Sequence, residues 1–184
     1  MLETERLLMR RWREEDRNPF AAMSADPLVM EYFPRTLSRE ESDQFVDRID
    51  GEFDERGYGL WALERKETGE FIGYTGLHQI SWTAAFTPAV EIGWRLTQSA
   101  WGQGLASEAA RRALSFGFEE AGLPEVVSFT ISANVKSEAV MRRIGMRRDP
   151  EGDFDHPNLL TEDERIRRHL LYRITSSRWK SQEE

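Results

Sequence analysis

The spacing of apolar positions changes several times along the chain, and each change marks an element. Leu7-Leu8-Met9-Arg10-Arg11-Trp12 reads as a first strand, and Glu14-Glu15-Asp16 opens a helical region reaching about Ala25, where Asp26-Pro27 breaks it. Residues 28–33 form a short apolar turn or helix before Pro34. Ser38-Arg39-Glu40-Glu41 is a capping box for a helix through about Phe53 that places Phe45, Val46 and Ile49 on one side. Gly57 and Gly59 lead into a hairpin, 60–64 and 71–80, turned at Glu67-Thr68-Gly69. A loop over 81–88 precedes a strand (89–96), a helix (103–121), a strand from Glu125 and a helix (134–144). Residues 146–149 and 168–175 read as two last strands joined by a long irregular connection over 150–164, and the polar residues 176–184 are expected to fray.

Helices, a hairpin, then strand-helix-strand-helix-strand predict an α/β (α+β) fold with a mixed sheet. No internal repeat or linker divides it. A chain of 184 residues with 39% hydrophobic content, 10 Phe and 6 Trp suits one domain with one core. The formal charge of −8 argues against non-specific nucleic-acid binding, which relies on clustered Lys and Arg, but it permits a cationic amine substrate. Without cysteine there is no disulfide, no thiolate metal ligand and no acyl-cysteine intermediate. No apolar run approaches the ~20 residues that span a bilayer, and the charged N-terminus is not a signal peptide, so no membrane partner and a cytoplasmic address are expected.

The chemistry concentrates where the strand Val90-Glu91-Ile92-Gly93-Trp94-Arg95-Leu96 meets Trp101-Gly102-Gln103-Gly104-Leu105-Ala106-Ser107-Glu108. Two glycines between a strand and a helix build a backbone cup whose unpaired N–H groups face an anion. A P-loop would need Lys followed by Ser or Thr after the last glycine, where this chain has Leu105 and Ala106. A dinucleotide fingerprint would need a glycine at Ser107, and its nearest acid, Glu125, begins the next strand instead of ending it. Glycine pairs also serve such turns for steric reasons alone.

The loop resembles the acyl-CoA loop of the GNAT superfamily of N-acyltransferases, Gln/Arg-x-x-Gly-x-Gly/Ala, with Trp101 at the Gln/Arg position. That departure is associated with the branch resembling ribosomal-protein N-terminal alanine/serine acetyltransferases. A second segment, Asn134-Val135-Lys136-Ser137 followed by apolar residues and Arg143-Ile144-Gly145-Met146, resembles the family's other acyl-CoA element, although Asn134, Ser137 and Gly145 also suit plain helix capping. With Leu2-Glu3-Thr4-Glu5-Arg6-Leu7 and His169-Leu170-Leu171-Tyr172-Arg173, the resemblance covers residues 2–175, implying a domain over 1–175 and a polar tail over 176–184.

The resemblance implies a mostly antiparallel central sheet splayed at the acyl-CoA site, with helices on both faces. It implies backbone contacts from Trp94, Arg95 and Leu96 to pantetheine, a pyrophosphate at Trp101, Gly102, Gln103, Gly104, Leu105, Ala106 and Ser107, and Asn134 and Ser137 on the pantetheine arm. Lys136, Arg142 and Arg143 are candidates for the phosphates, or solvated helix charges. Acetyl-CoA and an amine acceptor are the implied partners, in a monomer or homodimer, with no metal.

Such a transfer needs a proton acceptor for the amine and an acid for the thiolate. Glu91, which interrupts an apolar strand, is the candidate acceptor, with a solvated sheet residue as the plain alternative. Many relatives carry a Tyr where Met141 stands, so Ser137, water or no enzymic acid remains for the thiolate. Tyr32, Phe33, Trp61, His78 and His156 are candidates for the acceptor pocket, against core packing for the aromatic ones, and His169 reads as structural. Three functions stay open: an N-acetyltransferase, a non-catalytic acyl-CoA sensor, and a nucleotide module. Glu91 beside an open cleft favours the first; a cleft plugged by Ser81–Pro88 favours the second.

Overall fold

A computed structural model describes residues 1–157 and 164–183 of the chain. The order of elements is β1 (Leu2–Glu3), β2 (Leu7–Arg10), α1 (Arg17–Ala25), α2 (Arg39–Arg56), β3 (Leu60–Arg65), β4 (Phe71–Gln79), β5 (Val90–Leu96), α3 (Leu105–Ser115), β6 (Glu125–Ile131), α4 (Val135–Arg143), β7 (Arg147–Asp155), α5 (Glu164–Arg167), β8 (Arg168–Thr175) and α6 (Ser176–Glu183). The eight strands form one mixed sheet in the order β1-β2-β3-β4-β5-β6-β8-β7, and the sheet does not close. Every neighbouring pair is antiparallel except β5 and β6. Among the described residues, no helix is long and apolar enough to cross a membrane.

Helices cover both faces because side chains alternate along a strand. On β4, Tyr74 meets Phe20 of α1 and Phe45 of α2, at ring-centroid distances of 6.1 Å and 5.6 Å. Leu77, of opposite parity, packs under Gly117 at the end of α3, where an added Cβ would lie 2.9 Å from Leu77 Cδ1. Local signals set α2 as expected: Ser38 Oγ accepts from Glu41 N, Glu41 Oε2 accepts from Ser38 N, and Gly57 ends the helix at a φ of +77°. The helix expected over 103–121 is α3 followed by a wider π turn, Phe116–Glu120.

Two expectations change. The connection over 150–164 is not irregular throughout: β7 runs on to Asp155 after a register shift, held by Asp149, which accepts from Arg173 Nε at 2.6 Å. Residues 158–163 of that connection lie outside the described residues. The tail expected to fray is helical as α6, because Trp179 is 7% exposed, packs on Phe118 at 5.9 Å and donates to Glu119 Oε1 at 3.2 Å. One buried aromatic anchors an otherwise polar turn. Trp179→Ala is therefore expected to lower unfolding free energy by about 3 kcal/mol. A urea midpoint equal to the parent's would return this segment to a loose tail.

Candidate active site

The site grows from the one parallel junction in the sheet. Strands β5 and β6 share a single register pair, Glu91 with Val127, and beyond it they diverge towards their C-terminal ends. Ser128 Oγ closes the first gap by donating to the Ile92 carbonyl at 2.9 Å, and Trp101 Nε1 caps the Leu96 carbonyl at 2.9 Å. Because strand peptide groups alternate in direction, the Trp94 N–H and carbonyl between them also face the gap. Arg95 is turned the other way, with its carbonyl against Gly73 of β4, so its backbone does not serve the gap as expected and only its side chain is available.

Both crossover connections end at the mouth of this fork. After β5 the chain passes through Gly102 and Gly104, at φ of +72° and +78°, into the N-terminus of α3. After β6 it enters α4, where Asn134 Oδ1 accepts from Ser137 N at 3.2 Å, so capping accounts for Asn134. A cavity of about 1200 Å³ joins these features; Trp94, Leu96, Gly104, Ser107, Asn134 and Ser137 are among its walls. Trp101, Gly102, Leu105 and Ala106 line it too, whereas Gln103 turns away, donating to the Ser99 carbonyl at 2.6 Å and accepting from Arg65 at 2.9 Å. Ser107 Oγ is buried without a hydrogen-bond partner, and a Cβ at Gly104 would meet only Arg6 Nη2, at 3.7 Å. A small phosphate-sized anion suits that cup.

Cations surround the cup from several elements. Arg111, Arg112, Lys136 and Arg143 line the cavity, with Lys136 stacked 4.2 Å over the Trp101 ring, while Arg142 pairs with Glu138 away from it. The N-terminal segment is a clamp that sequence reading had only as resemblance: Thr4 Oγ1 donates to Glu108 at 2.5 Å, Arg6 Nε donates to the same carboxylate at 2.7 Å, and Arg6 Nη1 donates to the Gln103 carbonyl at 2.9 Å. Burial pushes the Glu108 carboxyl up, but the bonds from Thr4 and Arg6 hold it below its ordinary value overall.

At the base of the fork Glu91 Oε2 lies 2.8 Å from His78 Nε2, its cross-strand partner on β4. Burial pulls His78 down, yet the Glu91 hydrogen bond, with the charges of Glu91 and Glu52, carries it above its ordinary value. Glu52 of α2 is pushed up by burial, and its Oε2 has no partner. Neither Glu91 nor His78 lines the large cavity.

The other acceptor candidates separate. Tyr32 and Phe33 line the cavity. Trp61 is core instead, 3% exposed between Phe53 and Phe116, at 5.6 Å and 5.3 Å. His156 sits among Trp82, Phe129 and His169 with ring distances of 4.8, 5.8 and 5.2 Å, away from the cavity walls, and burial and His169 push it down to about 4. The loop Ser81–Pro88 packs Trp82 and Phe86 onto that cluster, and none of its residues lines either of the two cavities described here. Met141 is buried, and Tyr172 Oη donates to Glu138 at 2.5 Å beside it on α4.

The family model for an acetyltransferase (GNAT) domain matches residues 6–147. The FsC-acetyl coenzyme A-N(2)-transacetylase of Aspergillus fumigatus is 30% identical over 187 residues, covering 97% of this chain and 77% of that protein. Protein YkkB of Bacillus subtilis is 32% identical over 148 residues, 79% of this chain and 84% of its own. The solved GNAT-family acetyltransferase from Bacillus anthracis superposes with a TM-score of 0.77 at 25% identity, covering 96% of this chain and 98% of the other.

Proposed function

The chain belongs to the acetyltransferase (GNAT) family, and from that membership we propose that it acetylates a primary amine, on a protein N-terminus or a small molecule, directly from acetyl-CoA in a ternary complex in the cytoplasm. The observation that carries this reading is the single cavity running from the β5–β6 fork to the N-termini of α3 and α4, with Gly104 open to it and Ser107 Oγ unpartnered in its wall. When bound, acetyl-CoA supplies a thioester whose carbonyl carbon a neutral amine attacks, exchanging a C–S bond for a C–N bond. The backbone of Trp94 offers a donor and an acceptor to an amide-bearing arm lying in the fork like a missing strand. The α3 N-terminus, with Ser107 and the surrounding arginines, holds the pyrophosphate.

Glu91 accepts the proton that the amine loses. It stands at the closed end of the fork, on the last shared rung with Val127 and behind the walls of the large cavity, so that in this reading an intervening water carries the proton to it. His78 holds one carboxylate oxygen in place, leaving the other for that water. With Met141 at the position where relatives carry Tyr, and apolar, the departing thiolate takes its proton from water or from Ser137 at the mouth of α4. The loop Ser81–Pro88 leaves the cavity unplugged, which favours an enzyme over a sensor.

The test is release of CoA from acetyl-CoA across a panel of amines and N-terminal peptides, with CoA, and neither ATP nor NAD, competing for the site. Initial-rate lines are expected to intersect, as for a ternary complex. Ping-pong kinetics or a trapped acyl-enzyme would contradict direct transfer, and no turnover with any amine despite acetyl-CoA binding would favour the sensor.

A further inference from the structure

A second cavity of about 360 Å³ lies beside the first, between α2 and the segment that follows α1, and Phe33 and Arg95 belong to the walls of both. Arg95 is 8% exposed, yet it has no carboxylate partner among the described residues: its Nε is buried without a hydrogen bond, and its one polar contact is Nη1 to Ser24 Oγ at 3.5 Å. Instead three rings surround the guanidinium, Phe33 at 4.2 Å, Tyr74 at 5.4 Å and Phe45 at 5.7 Å. Aromatic faces stabilise a guanidinium but leave its N–H donors unsatisfied, and a buried cation in that condition is costly. Arg48 lines the same small cavity and stacks on Phe45 at 5.0 Å; among the described residues it forms no ion pair, the charge of Glu52 reaching it only at longer range, whereas the third cation there, Arg35, is matched by Glu41. The cavity thus holds one guanidinium with no carboxylate against it, Arg95, a second with Glu52 only at longer range, Arg48, and one matched pair.

Resting on the acyltransferase reading above, we propose that the acceptor is an amine that also carries a carboxylate, and that Arg95, with Arg48 behind it, receives that carboxylate. Arg95 and Glu91 stand four residues apart on β5 and on the same face, about 13 Å along the strand. One end of the site therefore collects a proton from the amine while the other binds an anion. That separation fits an acceptor whose two groups lie several bonds apart, such as an ω-amino acid or a dipeptide, better than an α-amino acid. The fork and the α3 N-terminus supply the acetyl-CoA contacts, so Arg95 discriminates between acceptors without holding the donor. Planar, bidentate recognition by Arg is suited to that task.

The experiment compares initial rates, with acetyl-CoA saturating, for ω-amino acids and dipeptides, for their carboxamides, and for the alkylamines left when the carboxylate is removed. The parent is expected to prefer the carboxylates by roughly 100-fold in kcat/KM, because the other acceptors leave Arg95 buried and unpaired. In Arg95→Met that preference should fall to within about threefold, with acetyl-CoA affinity within about twofold of the parent and no loss of thermal stability. Equal or better turnover of carboxamides, alkylamines or polyamines by the parent overturns the proposal and leaves the acyltransferase reading standing. So does a lack of turnover confined to the carboxylates, or a loss of acetyl-CoA affinity in Arg95→Met that matches its loss of rate. Failure of the parent to bind acetyl-CoA at all overturns the acyltransferase reading itself. Should Arg95→Met not fold, the parent's comparison of carboxylates with carboxamides decides alone.

Discussion

Gly104→Val is expected to lower acetyl-CoA affinity by roughly 100-fold or more, about 2.7 kcal/mol of binding. Two effects act together. At a φ of +78° a β-branched residue is strained by about 1–3 kcal/mol, and its side chain projects into the cavity, where only Arg6 Nη2 stands nearby. An anion that must touch the N–H groups at the start of α3 then meets methyl groups instead. Gly104→Ala separates the two, since it carries backbone strain with a single methyl and should lose less affinity while melting earlier. Calorimetric titration with acetyl-CoA on protein shown to be folded by circular dichroism is the measurement. Unchanged affinity in folded Gly104→Val would sink the assignment of the pyrophosphate to this turn.

Glu91→Gln is expected to retain acetyl-CoA binding and to lower turnover by roughly 10²–10⁴-fold, the range lost with a general base. The variant should recover in part at high pH, where more acceptor is already neutral. His78 adds a second signature. Because its folded pKa lies above the ordinary 6.5, the His78–Glu91 pair stabilises the fold fully below about pH 6.5 and loses that contribution as pH rises through the folded value. The same imidazolium engages Glu91, so parent turnover should climb over that window as His78 gives up its proton. In Glu91→Gln the window moves down, and melting temperature should vary less with pH. Steady-state rates between about pH 6 and 10 decide; a variant matching the parent throughout removes Glu91 from the mechanism.

Much of this layout is legible from local signals, because capping boxes, glycine turns and hydrophobic period act within a few residues. Ser38 with Glu41, Gly57 at the end of α2, and the glycines before α3 all lie where their chemistry requires. What escaped the sequence depends on partners far along the chain. Pro150 and Gly152 erase the two-residue period of β7, which persists because β8 pairs with it and because Arg148 and Arg173 bind Asp153 and Asp149. In α6 the only sequence signal is Trp179, one aromatic in a polar run, and its partner Phe118 is 61 residues away in the numbering of the chain. Trp61 and Phe33 look alike as aromatic candidates, yet one is sealed in the core and the other borders two cavities. The clamp from Thr4 and Arg6 to Glu108 spans more than a hundred residues and carries no local motif. The unmatched charge of Arg95 is likewise invisible until its neighbours are known.

The fork between β5 and β6 also gives this sheet something most sheets avoid, a pair of unpaired strand edges in its middle. Exposed edges recruit other chains by strand addition, and proteins ordinarily blunt them with charge, bulges or cover. Here the blunting is architectural. Ser128 and Trp101 take up the first and last free carbonyls of β5, leaving the Trp94 N–H and carbonyl and the Leu96 N–H between them, a shorter edge than a full strand presents. The starts of α3 and α4 wall the mouth of the gap. The two edges therefore face a cavity of the protein's own in the middle of the sheet, and not its outer rim, where strand addition takes place.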